Sequence, residues 1–86
     1  MPEISRFFGI IVAIFYEDHP PAHFHVRYGS QQAIVAIDTL QVIEGRLSPR
    51  VSGLVLEWAM IHRLELVRAW EQARRREPID PIDPLE

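Results

Sequence analysis

The first half of the chain carries the hydrophobic pattern of β-strands. Apolar and aromatic residues occupy both odd and even positions over 7–16, which indicates one strand with both faces at least partly covered. Apolar and polar residues alternate over 23–28, as in a strand with one buried face. Gly29-Ser30 predicts a tight hairpin turn that leads into a third strand over 31–38. An antiparallel β-meander follows from these segments.

The sheet gives way to a helix between residues 40 and 50. Residues 40–44 predict a short fourth strand or sheet edge, and Gly45 predicts a break after it. Ser48 suits a helix N-cap and Pro49 suits the first helical position, where its missing N–H is not needed. Because no proline recurs until Pro78, we expect one long helix of about 28 residues.

The last residues predict a different conformation. Residues 78–86 repeat an Ile-Asp-Pro unit, and prolines every three residues disfavour both helix and strand. The predicted fold class is therefore α+β: a three- to four-stranded antiparallel β-meander, one long C-terminal α-helix and an extended Pro-rich tail. Residues 1–77 are expected to form a single domain, with residues 78–86 as its tail.

The predicted helix has two apolar sides. One stripe is expected to pack on the sheet, and it comprises Val51, Leu54, Val55, Trp58, Ile61, His62, Leu66 and Ala69. A second apolar arc comprises Leu56, Met60, Leu64, Val67 and Trp70. Either the Pro-rich tail folds over this arc, or a homodimer or another protein partner covers it, because exposed apolar patches usually mark contacts.

Composition narrows the classes of function. An 86-residue chain with 48% hydrophobic and 24% charged residues fits one globular domain. No cysteine is present, so a metal would need histidine and carboxylate ligands. The longest apolar run is half of the roughly 20 residues that span a bilayer, and no signal peptide is recognisable, so a cytoplasmic location is expected. A net charge of −3 gives no general attraction to phosphate backbones.

Three histidines lie close together and suggest a metal site. His23 and His25 are two apart on a strand and so share a face, while His19 precedes them in a Pro20-Pro21 loop. His19, His23 and His25 are candidate ligands for Zn or Ni. The alternative is that these imidazoles hydrogen-bond to the loop backbone and fix the turn.

His62 and Glu65 lie in or beside the apolar stripe, where a polar group needs a partner. One explanation is a hydrogen bond at the margin of the stripe. The other is a general acid/base cluster in which His62 lies near His23 and His25 and acts with Glu65 or Glu57. Against the cluster, Phe24 lies on the apolar side of its strand, which puts the two strand histidines on the side away from the helix.

Arginines make the second half of the helix basic. Arg63, Arg68, Arg74, Arg75 and Arg76 could form a strip that contacts phosphates. The alternative is a solvated helix face whose last arginines compensate the negative end of the helix dipole. This alternative is favoured because glutamates lie between the arginines.

Several segments together resemble the prokaryotic "domain of unknown function 4160" family. The segments are Ile4-Ser5-Arg6-Phe7-Phe8-Gly9-Ile10, Asp18-His19-Pro20-Pro21-Ala22-His23-Phe24-His25-Val26, Glu44-Gly45-Arg46-Leu47, Leu56-Glu57-Trp58, His62, Glu65-Leu66 and Ile82-Asp83-Pro84-Leu85. The resemblance implies that His19, Pro21, His23, Phe24, His25, Glu57, Trp58 and His62 are motif residues. It also implies a second small protein encoded nearby, an arrangement similar to toxin–antitoxin pairs, and hence a protein partner.

Three hypotheses of function follow, and whether the protein is an enzyme stays open. The first is a small cytoplasmic interaction module, toxin–antitoxin-like, that forms a homodimer or binds another small protein through the second apolar arc. The second is a metal-dependent hydrolase or nuclease that uses His19, His23, His25 and His62. The third is nucleic-acid binding through the helix arginines.

Overall fold

The computed structural model describes residues 2–86 and has an α+β fold of five strands and two helices. These elements are β1 Glu3–Phe7, β2 Ile10–Ala13, β3 His23–Tyr28, β4 Gln31–Ala36, β5 Val42–Arg46, α1 Pro49–Ile61 and α2 Arg63–Arg74. The strands form one sheet in chain order, and each pairs antiparallel with the next. The α+β class and the meander are confirmed, but the predictions of three to four strands and of one helix are wrong.

The expected first strand is in fact a hairpin. Phe7 pairs with Ile10, and Phe8 and Gly9 form the turn between β1 and β2, with φ angles of 51° and 81°. Two left-handed residues are what a tight hairpin turn requires. The turn was missed because Phe8 is apolar, so it continues the hydrophobic run although its side chain is 58% exposed.

Gly45 lies inside β5 and does not end it, contrary to the sequence-based expectation. It is paired with Ala33, and its φ is +83°, a conformation that residues with a Cβ rarely adopt. A Cβ at this position would lie 2.2 Å from the carbonyl oxygen of Gln32. The glycine therefore permits a close approach of two backbones within the sheet.

The start of α1 is confirmed, but the helix is interrupted at His62. The Ser48 hydroxyl accepts a hydrogen bond from the backbone N–H of Val51, and Pro49 is the first helical residue. His62 leaves the helical region, with φ −111° and ψ 25°. Backbone hydrogen bonds to Trp58 and from Leu66 still bridge this residue, so the buried side continues from α1 into α2.

The hydrophobic core lies between one face of the sheet and the two helices. Trp58 is fully buried, with its ring 5.3 Å from that of Phe7 and 6.0 Å from that of Phe24. The other buried helix residues are Val51, Val55, Ala59, Leu66, Ala69, Trp70 and Ala73. The helices thus cover the face of β3 that carries Phe24 and Val26.

Residues 77–86 contain neither helix nor strand and pack against the edge of the sheet. The backbone N–H of Ile82 donates to the carbonyl of Ile4 in β1 at 2.7 Å, and the Ile82 side chain is buried. The indole N–H of Trp58 donates to the carbonyl of Asp83 at 2.8 Å. Residues 77–86 therefore run beside β1 and over the side chain of Trp58.

The opposite face of the sheet contains a cavity of about 330 Å³. Its walls include Ile11, Phe15, His25, Arg27, Ile34 and Glu44. None of the helices within residues 2–86 combines the length and apolar character needed to cross a membrane.

Candidate functional site

The loop between β2 and β3 brings Asp18 against two histidines of β3. The Oδ2 atom of Asp18 lies 3.1 Å from Nε2 of His23 and 2.9 Å from Nε2 of His25. The two imidazole rings are 5.2 Å apart, centre to centre. One ligand atom from each of the three residues lies within 4.8 Å of the others. We call Asp18, His23 and His25 the Asp–His–His cluster.

A backbone hydrogen bond determines how His23 faces the carboxylate. Its Nδ1 lies 2.7 Å from the carbonyl oxygen of Pro21. A carbonyl can only accept, so Nδ1 carries the proton that is donated. In the neutral ring Nε2 then has a lone pair, and this lone pair faces the Asp18 oxygen. Two lone-pair-bearing atoms at this distance need a proton or a metal ion between them.

Aromatic side chains hold both imidazoles in place. The His23 ring lies 5.1 Å from the ring of Trp70 in α2, and the His25 ring lies edge-on to Phe15 at 4.3 Å. The side chain of His23 is 10% exposed, whereas those of Asp18 and His25 are 24% and 28% exposed. The cluster is thus fixed by packing on one side and open to solvent on the other.

His19 is exposed and lies outside this cluster. The predicted ligand set was His19, His23 and His25, whereas the structure groups Asp18 with the two strand histidines. The alternation of β3 was enough to pair His23 with His25. Asp18 and His19 are neighbours in the same loop, and only the path of that loop decides which side chain turns towards the strand.

His62 and Glu65 form a separate pair on the helices. Nδ1 of His62 lies 2.5 Å from Oε1 of Glu65, and the His62 ring lies 5.7 Å from the ring of Trp58. The predicted candidate cluster of His19, His23, His25, His62 and Glu65 is thus distributed over separate places. The structure pairs His62 with Glu65, and Asp18 with His23 and His25, so the acid/base arrangement of His62 with the strand histidines stays a prediction.

Four residues of the second apolar arc are exposed. The exposed fractions are 44% for Leu56, 64% for Met60, 84% for Leu64 and 44% for Val67. We call these four residues the outer helix face. Trp70 does not belong to it, because Trp70 is 5% exposed and contacts His23. The Pro-rich tail packs beside β1 and leaves the outer helix face uncovered.

The helix arginines alternate with acidic residues on the surface. Arg63, Arg68, Arg74 and Arg75 are exposed, as are Glu65 and Glu71, and Arg76 contacts the carboxylate of Glu17. This mixture of signs is typical of a solvated helix surface.

An exposed ion pair on β1 shifts two pKa values. The hydrogen bond from Arg6 lowers the pKa of the Glu3 carboxyl, and the same contact raises the pKa of Arg6. Both groups are exposed to water, so the pair adds little to the stability of the fold.

The comparison with known families gives one match. A family model described as "Domain of unknown function (DUF4160)" matches residues 9–71, which include the Asp–His–His cluster and most of the two helices. No curated protein and no solved structure matches the chain.

Proposed function

The chain belongs to the DUF4160 family, and since that description assigns no activity, we propose a function from the protein's own surface: it is a small interaction module whose outer helix face binds the same face of a second copy. The observation that carries this proposal is the exposure of Leu56, Met60, Leu64 and Val67 on one side of α1 and α2.

The outer helix face has the character of a contact surface. Scattered apolar residues are normal on a protein surface, but here four large aliphatic side chains follow one another at helical spacing. Leu64 is 84% exposed although leucine is among the residues most often buried. Such a stripe on the open side of a helix is the usual seam for a second helix.

The flanking charges favour a second copy in an antiparallel arrangement. A two-fold axis near the middle of the outer helix face places Met60 opposite Leu64 of the other copy. The same axis brings Glu57, near one end, beside Arg68 of the other copy. Both Glu57 and Arg68 are exposed, and their helical spacing places them on the same flank of the outer helix face, so this arrangement brings opposite charges together.

We expect the self-association to be weak. Each side chain of the outer helix face is already partly covered, so complete burial would contribute on the order of 1 kcal/mol per side chain. Association costs roughly 4–15 kcal/mol in lost translational and rotational freedom. Because the dimer would bury eight such side chains, the balance leaves at most about 4 kcal/mol, which corresponds to a dissociation constant near the millimolar range or weaker.

Sedimentation equilibrium of the full chain over a micromolar to millimolar concentration series tests the proposal. We expect a monomer–dimer equilibrium that Leu64→Lys abolishes. The control is Ile43→Lys, which changes another exposed aliphatic residue, on β5, and leaves the equilibrium unchanged. A monomer at every concentration would contradict the proposal.

Charge reversal tests the arrangement of the two copies. Glu57→Arg alone should weaken the dimer, and so should Arg68→Glu alone, because each places like charges together. The double variant restores the pair in a symmetric dimer and should recover the association. If the double variant is weaker than either single variant, the antiparallel arrangement is wrong. The other partner that the family resemblance implies is a small protein encoded nearby, and co-purification from the native source tests it.

A further inference from the structure

We propose that Asp18, His23 and His25 bind one divalent first-row transition-metal ion, with Zn²⁺ as the reference ion. The proposal goes beyond the interaction module and is independent of it, because none of the three residues lies on the outer helix face. Two imidazoles and one carboxylate form a common ligand set for such ions in proteins.

The distances from the Asp18 carboxylate to the two histidines fit a metal site. Nε2 of His23 and Nε2 of His25 lie 3.1 and 2.9 Å from the same oxygen of Asp18. Ligands about 2.0–2.1 Å from an ion are roughly 2.9–3.4 Å apart, depending on whether the angle between them is near 90° or tetrahedral. The ligand atoms of the two histidines lie within 4.8 Å of each other, and side-chain movements that bring both to within about 2.0–2.1 Å of one position would place an ion between the three atoms.

The hydrogen bond from His23 to Pro21 supplies an independent argument. A histidine that ligates a metal almost always donates its other ring N–H to a carbonyl or carboxylate, which fixes the ring and its tautomer. His23 Nδ1 makes this contact with the Pro21 carbonyl at 2.7 Å. The free lone pair of Nε2 is then directed at the carboxylate, where a cation would accept it.

Three protein ligands leave at least one coordination position open. This is the arrangement of metal sites that bind a water molecule or a small ligand, whereas purely structural zinc sites have four protein ligands. His25 also lines the cavity of about 330 Å³ on the open face of the sheet. A molecule in that cavity would lie beside the ion, with Phe15 and Arg27 as neighbouring walls.

The competing explanation is that Asp18 only accepts hydrogen bonds from two histidines. In that case a proton on each Nε2 satisfies the carboxylate and no ion is needed. The two explanations differ in what Zn²⁺ does, because hydrogen bonds alone give no stoichiometric binding.

Calorimetric titration of Zn²⁺ into the tag-free full chain, after treatment with a chelator, tests the proposal. We expect one ion per chain. Asp18→Asn and His25→Gln should each weaken the affinity at least about tenfold. His19→Gln is the matched control, since it removes an exposed histidine of the same loop, and it should leave the affinity unchanged. His62→Gln is a second control that removes the histidine of the other histidine–carboxylate pair.

A readout that does not depend on affinity completes the test. On titration with Zn²⁺, the side-chain ¹⁵N resonances of His23 and His25 should shift together, whereas those of His19 and His62 should not. Circular dichroism shows whether each variant is folded. If a variant is unfolded, its affinity is not used, and the shifts of the histidine resonances in the unmodified chain show which residues bind Zn²⁺. Absence of binding, or an equal loss with His19→Gln, would overturn the proposal.

Discussion

Leu64 and Leu66 are the same residue type in the same helix, yet 84% of Leu64 is exposed and none of Leu66 is. Leu66 faces the sheet, whereas Leu64 faces the side where the protein has no further layer. Both sides of the helices carry large apolar side chains, and the comparison teaches that the position of the sheet determines which side is buried as the core. The side that is left over is the outer helix face.

The largest effect should come from truncating the inner leucine. Leu66→Ala removes fully buried methyl groups and leaves a cavity, so the free energy of unfolding should fall by about 2–5 kcal/mol. Leu64→Ala is the matched change on the outer side and should alter it by less than about 0.5 kcal/mol. Urea denaturation of dilute protein measures both. Similar losses for the two variants would remove the distinction between the sides.

A second prediction concerns the connection between the inner side and the tail. Trp58→Phe keeps an aromatic ring but removes the hydrogen bond to the Asp83 carbonyl and some buried volume. We expect a loss of about 1–3 kcal/mol in the free energy of unfolding. A double-mutant cycle with Ile82→Ala should be non-additive, because both residues hold the same segment. Strict additivity would show that the tail contributes independently of Trp58.

A smaller effect than that of Trp58→Phe is expected at the boundary between the two sides. Glu65→Gln removes the charge of the partner of His62 but keeps its shape, and the Glu65 side chain is 51% exposed. The free energy of unfolding should change by less than about 1 kcal/mol. Glu71→Gln, on the exposed surface of the same helix, is the control in the same denaturation assay. A loss as large as that of Leu66→Ala would place this pair among the main stabilising contacts.

Local patterns predicted much of the fold because they act over a few residues. The Gly29-Ser30 turn, the alternation along β3 and the Ser48-Pro49 helix start were all visible in the sequence. The Phe8-Gly9 turn was not, because an apolar residue in a tight turn resembles a strand residue.

The candidate site was less predictable because it depends on contacts between distant segments. Trp70 was assigned to the outer side from helical periodicity, but its large ring reaches His23 on the sheet. The spacing of His23 and His25 indicated that they share a face, and it could not choose between Asp18 and His19. The path of the tail is likewise fixed by contacts with β1 and with Trp58, for which no local pattern exists.

Residues 77–86 also protect one edge of the sheet, strand β1, from contact with other molecules. The N–H of Ile82 donates a hydrogen bond to the Ile4 carbonyl in the edge strand β1. The other edge strand, β5, is exposed along its whole length. A protein shortened after residue 77 would have two unprotected edge strands, and such strands can pair with strands of other molecules. Loss of these few residues should therefore favour fibrous or amorphous precipitation even where the remaining chain still folds.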